Sequence, residues 1–207
     1  MTAEPTDEGA TYPGWVRASS WGWLAGLVAV VGLAVLADLL IPAGSGSQAI
    51  VGIGIGGGVG IMQARYLARR IEGSARWALA TVTGMGAPFL VHDLAQLAGS
   101  DVPFNLPVYV LVGALITGVW QRFLLRPLSE KANWWVAASL LGWALPAGAI
   151  ALADSGALGL PGQMLGLIAI FFGGALLGLG SGGTLVWLLE GRPAADDPAG
   201  ARREHVP

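Results

Sequence analysis

The sequence predicts an all-α integral membrane protein with six transmembrane helices, built as three tandem parallel two-helix repeats about a pseudo-threefold axis. Three observations predict this. Of the 207 residues, 54% are hydrophobic and only 12% charged, about half the charged share of a soluble domain. The apolar residues fall in six long stretches nearly free of charge, and runs of about 18 or more such residues require a bilayer. A chain of this length cannot build a core large enough to hide them all. Finally, one segment occurs twice. Gly60, Gln63, Leu67, Glu72, Trp77, Ala80, Gly84 and Pro88 recur as Gly118, Gln121, Leu125, Glu130, Trp135, Ala138, Gly142 and Pro146, always at an offset of 58 (121 − 63 = 58). A window of about 29 residues in this composition gives two or three matches by chance.

The spans are expected at 21–40, 49–68, 77–97, 106–125, 134–153 and 163–189. The first opens with Trp21 and Trp23 and approaches its far end with Asp38. The second carries the glycine run Gly52, Gly54, Gly56, Gly57, Gly58, Gly60, which suits close helix contact in lipid. The third runs from Trp77 past Pro88 to Asp93, and the fourth carries the second copy of the Gly-x-x-Gln motif. The fifth opens with Trp134 and Trp135 and ends near Asp154. The sixth is longer than a bilayer requires, and tilt or a kink in its glycine-rich part absorbs the excess.

The clear duplication sets spans two and three against spans four and five. Spans one and six supply a third unit: each odd span nears its outer end with an aspartate, at spacings of 55 (93 − 38) and 61 (154 − 93), which bracket 58. In this register Gly182 matches Gly118, and Leu185 stands in the glutamine position. The hairpins are placed at 15–70, 71–126 and 127–190, between an acidic N-terminus (1–14) and a Pro- and Ala-rich tail (191–207), both expected to be disordered. Units that cross twice are parallel repeats, related by an axis along the membrane normal.

Every Lys and Arg falls on the side of the two termini, so the positive-inside rule puts both termini in the cytoplasm. The N-terminus lacks a basic n-region, so a cleaved signal peptide is not expected. Trp15, Trp21, Trp23, Trp77, Trp134, Trp135 and Trp187 stand at the same ends and suit an interfacial belt. Trp143, two turns into its span, is the best placed for stacking on a ligand.

The absence of Cys excludes disulfides and thiolate chemistry. No catalytic residue and no metal site is assigned, because the acids and histidines are too few for a ligand set. Candidates for a ligand or ion path are Asp38, Asp93, Asp154, His92, Gln63 and Gln121. Intramembrane carboxylates are functional candidates by default; against this, an aspartate at a span end reaches water and suits a turn. His92 beside Asp93 would make a pair titrating near neutrality. For the glutamines, interhelical hydrogen bonding competes with a polar contact to a ligand. Arg69, Arg70, Arg76, Arg126 and Lys131 suit an anionic lipid headgroup or a cytoplasmic partner.

The sequence Gly118, Gln121, Leu125, Arg126, Trp134, Trp135, Gly142, Trp143, Ala144, Leu145 resembles a group of uncharacterised bacterial multi-pass membrane proteins. The resemblance implies a bacterial cytoplasmic (inner) membrane and no activity. The expected function is a non-enzymatic subunit or scaffold of a membrane assembly, binding lipid or a protein partner. A small transporter or channel with a site on the axis is the alternative, and an intramembrane enzyme stands behind both. No cofactor is expected, although a bound lipid, quinone or isoprenoid fits. The expected partners are the bilayer, a homo-oligomer or another membrane protein, and no nucleic acid.

Overall fold

The computed structural model describes residues 11–40, 47–68 and 70–190. Arg69 and the two terminal segments expected to be disordered (apart from 11–14) lie outside these residues. The described chain is all helical: α1 (Tyr12–Leu40), α2 (Ala49–Leu67), α3 (Ala75–Leu97), α4 (Leu106–Leu125), α5 (Trp134–Asp154) and α6 (Gly159–Glu190). Five of these are long and apolar enough to cross a membrane. The exception is α3, which has 23 residues and sufficient length, but is diluted by Arg76, Thr81, Thr83, His92, Asp93 and Gln96. Among its polar side chains, Thr81, His92 and Asp93 have structural partners described below.

Local chemistry sets the helix ends. Asn105 caps α4 by accepting from the Val108 amide at 3.3 Å, with Pro107 in the first turn. Gly99 and Gly156 take positive φ (81° and 68°) just beyond α3 and α5, where a residue with a Cβ would be strained. Helix α1 starts at Tyr12, nine residues before the expected span, and the added turns place Trp15 inside the bundle.

Each helix packs on the next, and α6 packs back on α1, closing a ring of six antiparallel neighbours. Glycine makes the ring tight. On α2, Gly54 and Gly58 face Val30 and the Gly22–Gly26 stretch of α1, while Gly52, Gly56 and Gly60 face Met85, Thr81 and Ala78 of α3. Two small-residue ridges on one helix let it contact two neighbours backbone to backbone. Gly173, Gly174, Gly178 and Gly182 of α6 lie similarly against Trp23, Ser19, Val16 and Trp15 of α1. Inside the ring are two buried clusters. One holds Trp15, Trp77, Trp135, Leu67, Leu125 and Leu185, and the other holds Trp23, Met85, Trp143, Val59 and Leu177.

Candidate functional site: a closed tryptophan layer below an apolar cavity

At the arginine-rich end, three odd-numbered helices each send a tryptophan to the centre. The ring centroids of Trp15 and Trp77 are 6.0 Å apart, those of Trp15 and Trp135 5.9 Å, and those of Trp77 and Trp135 5.3 Å. All three are at most 2% exposed. An indole N–H can only donate, and each finds a buried acceptor on an even-numbered helix. Trp77 donates to Gln63 Oε1 at 3.1 Å and Trp135 to Gln121 Oε1 at 2.8 Å. Trp15 donates to Ser181 Oγ at 3.0 Å.

The indoles also fix the glutamine orientations. With each Oε1 taken, each Nε2 must donate elsewhere: Gln63 Nε2 reaches Ser19 Oγ at 3.0 Å, and Gln121 Nε2 reaches Thr81 Oγ1 at 2.9 Å. Ser181 is too short to extend the pattern, and Ser139 Oγ donates instead to the Ala114 carbonyl at 3.1 Å. The two glutamines therefore serve as interhelical hydrogen-bonding groups, and the layer carries no unbonded amide. The acceptor for Trp15 is Ser181, one turn before Leu185, and Leu185 is fully buried like Leu67 and Leu125.

The tryptophan belt needs a matching correction. Trp15, Trp77, Trp135 and Trp23 are buried, whereas Trp21, Trp120, Trp134 and Trp187 remain exposed. The reason is helical phase: Trp134 and Trp135 are adjacent, and about 100° of rotation points one outward and the other to the centre.

Eight residues beyond Trp15, roughly 12 Å along the helix, Trp23 lies 6.0 Å from Trp143. Its indole donates to the Ile170 carbonyl at 2.7 Å. These two rings form part of the wall of a cavity of about 130 Å³ to which all six helices contribute. Leu27, Ile55, Met85, Phe89, Val110 and Ala147 are among its other lining residues, and no lining side chain is charged. Trp143, the tryptophan singled out for ligand stacking, lines this cavity together with Trp23.

Toward the opposite end, Phe89 connects the cavity wall to an aromatic cluster. His92 Nδ1 is 2.9 Å from the Tyr109 hydroxyl, and Phe104 stacks on Tyr109 at 5.3 Å. His92 is buried and meets this cluster, while Asp93 turns to α2. The Asp93 carboxylate accepts from the Ser47 hydroxyl at 2.6 Å and from the amides of Gln48 and Ala49 at 3.0 and 2.9 Å. It caps α2 from outside the helix, holding negative charge against the positive end of the helix dipole. Asp38 and Asp154 are exposed. The three aspartates therefore do not line the cavity, and neither does His92.

The basic candidates divide between two clefts at the other end. A cleft of about 690 Å³ is lined by Arg70, Glu72 and Arg76 with Ile71, Phe123 and Leu124. A second, of about 360 Å³, is lined by Arg126, Glu130, Lys131 and Trp187. Lys131 Nζ stands 4.5 Å over the Trp187 ring and Arg70 4.6 Å over Tyr66. Arg69 lies outside the described residues. Among these residues, no group of three or more His, Asp or Glu is placed to hold a metal ion.

The residues that sequence reasoning missed are Ser19, Thr81, Ser139 and Ser181. A signal for three of them was present: each central tryptophan is followed four residues later by a hydroxyl, as Trp15/Ser19, Trp77/Thr81 and Trp135/Ser139. No protein-family model, curated protein or solved structure matches the chain.

Proposed function

We propose that this chain is a non-enzymatic membrane scaffold or subunit that holds an apolar molecule on the axis of its helix ring. The observation that carries this reading is the cavity of about 130 Å³ walled by all six helices, above the tryptophan layer that closes the ring at the arginine-rich end. An engineered cavity of about 150 Å³ lined by similar side chains stays dry and takes up benzene. The same physics selects a ring or a branched hydrocarbon segment here, as in a quinone, an isoprenoid or a lipid chain. Trp23 and Trp143 offer ring faces to it.

In this reading the helices pair as three tandem hairpins about a pseudo-threefold axis. The sets Trp15/Trp77/Trp135, Ser19/Thr81/Ser139 and Gly22/Gly84/Gly142 keep a common spacing of four and seven residues within each odd helix. Gly60, Gln63 and Leu67 correspond to Gly118, Gln121 and Leu125, and in the last unit to Gly178, Ser181 and Leu185. The clustering of basic residues at one end supports a cytoplasmic location for both termini. The resemblance to bacterial multi-pass proteins supports a bacterial inner membrane.

The transporter alternative draws less support. A path along the axis would pass through three mutually packed indoles whose N–H groups are all engaged, and its candidate acids lie elsewhere. An intramembrane enzyme would need acids, bases or ligands facing the cavity, and its wall is apolar. Purification in a mild detergent tests the scaffold reading. A stoichiometric partner protein or a stable oligomer supports it; a monomer without any bound component contradicts it.

A further inference from the structure

His92 and Tyr109 form a polar pair with more hydrogen-bonding capacity than their contact uses. His92 is 7% exposed, and its Nδ1 is 2.9 Å from the Tyr109 hydroxyl. A neutral imidazole carries one donor and one acceptor, a charged one two donors, and a phenol one donor. Joining the two rings spends a single donor hydrogen. At least one more is left in every tautomer, on Nε2 of the imidazole or on the hydroxyl. Among the described residues, neither group has a second hydrogen-bond partner.

The duplication places this spare donor at the axial cavity. At the offset of 58, His92 corresponds to Ile150 (92 + 58) and Tyr109 to Val51 (109 − 58), and Ile150 and Val51 both line the cavity. At these two positions one copy carries an aliphatic side chain and the other a polar one. A tie between α3 and α4 needs one donor and one acceptor, and this pair holds a donor beyond that. Neighbouring residues agree with the placement. Phe89 lies one turn before His92 on α3, Leu106 one turn before Tyr109 on α4, and Val110 beside it; all three belong to the cavity wall. The Phe89 ring packs 5.7 Å from the Tyr109 ring, so the pair is in contact with that wall.

We propose that His92 and Tyr109 read an oxygen on the axial ligand, and that this ligand is a quinone. The flat ring lies in the cavity against Trp23, Trp143 and Phe89, where aromatic faces favour it. One ring carbonyl accepts the spare donor hydrogen of the pair. A hydrocarbon or acyl chain in the cavity offers no such acceptor, and a donor left unmet there is costly. This proposal deepens the axial-ligand reading and rests on it.

The test compares duroquinone with durene, the same tetramethyl ring without the two oxygens. Binding of each to purified protein is measured by equilibrium dialysis in one detergent. The chain has no Cys, so thiol addition to the quinone does not interfere. Wild type is expected to bind both probes and Ala147→Phe neither. The double variant His92→Leu/Tyr109→Phe should bind duroquinone about fivefold more weakly, the worth of one neutral hydrogen bond, with durene unchanged. The infrared carbonyl band of duroquinone bound to wild type should lie below that of the quinone in detergent alone. Wild type that binds neither probe contradicts the axial reading itself. Binding of both probes with undiminished duroquinone affinity in the double variant, or with an unshifted carbonyl band, overturns the quinone proposal and leaves the axial reading in place. Where the double variant loses both probes through misfolding, the carbonyl band in wild type decides.

Discussion

The indole nitrogen of Trp135 lies 2.8 Å from the side-chain oxygen of Gln121, and the same bond joins Trp77 to Gln63 at 3.1 Å; both span 14 residues. Each bond ties an even helix to the odd helix that follows it. The amide nitrogen of each glutamine then reaches the preceding odd helix, through Thr81 and Ser19. One side chain thus joins three consecutive helices, which explains why glutamine, with a donor and an acceptor at one tip, stands at these positions. Leucine would fill the space but could not hold both neighbours.

Replacing Gln121 by Leu should leave the Trp135 N–H buried without an acceptor. That costs about 1–3 kcal/mol, or a loss of several degrees in melting temperature for a chain of this size. Gln63→Leu should behave alike. Thermal unfolding in detergent checks both, and an unchanged melting temperature would mean that the indoles find other acceptors.

The glycines divide into positions where a methyl group fits and positions where it does not. A Cβ at Gly58 would run into the backbone of Gly22 and Gly26, whereas one at Gly32 or Gly148 meets nothing within 4 Å. Gly58→Ala should therefore destabilise by about 1–3 kcal/mol or more through forced separation of α1 and α2. Gly32→Ala and Gly148→Ala should gain roughly 0.5–1 kcal/mol from helix propensity. The opposite signs separate a packing effect from a general dislike of larger residues.

Asp93 should be the one aspartate of the three that matters to folding. Asp93→Ala removes three hydrogen bonds at the start of α2 and should cost about 0.5–2 kcal/mol, as other lost caps do. Asp38→Ala and Asp154→Ala, both at exposed positions, should stay within about 0.5 kcal/mol. Three equal effects would contradict the capping role.

Much of the architecture was legible in the sequence because membrane helices are specified by composition and by punctuation. The helix boundaries of α2 through α5 fell within about two residues of expectation. The start of α1 did not, because the polar segment that includes Arg17, Ser19 and Ser20 interrupts the apolar run without ending the helix. The centre was harder to read. A tryptophan near a span end is ambiguous between the headgroup region and the bundle interior, and only helical phase separates Trp134 from Trp135. The offset of 58 identified Gln63 and Gln121, but their partners lie on a third helix each, at sequence distances that no local pattern reports. Ser181 was hidden because its partner Trp15 lies 166 residues away at the other end of the chain.

The central claim, an apolar ligand on the axis of the ring, is tested most directly by mass spectrometry of organic extracts. Protein purified in mild detergent is compared with an Ala147→Phe variant, because Ala147 is buried in the cavity wall and a phenyl ring there occupies the empty volume. The expected result is a defined quinone, isoprenoid or lipid-chain species at near one per chain in the wild type. The variant should lose it while keeping its melting temperature. Extracts that contain no such species, or that contain it equally in both proteins, would contradict the account.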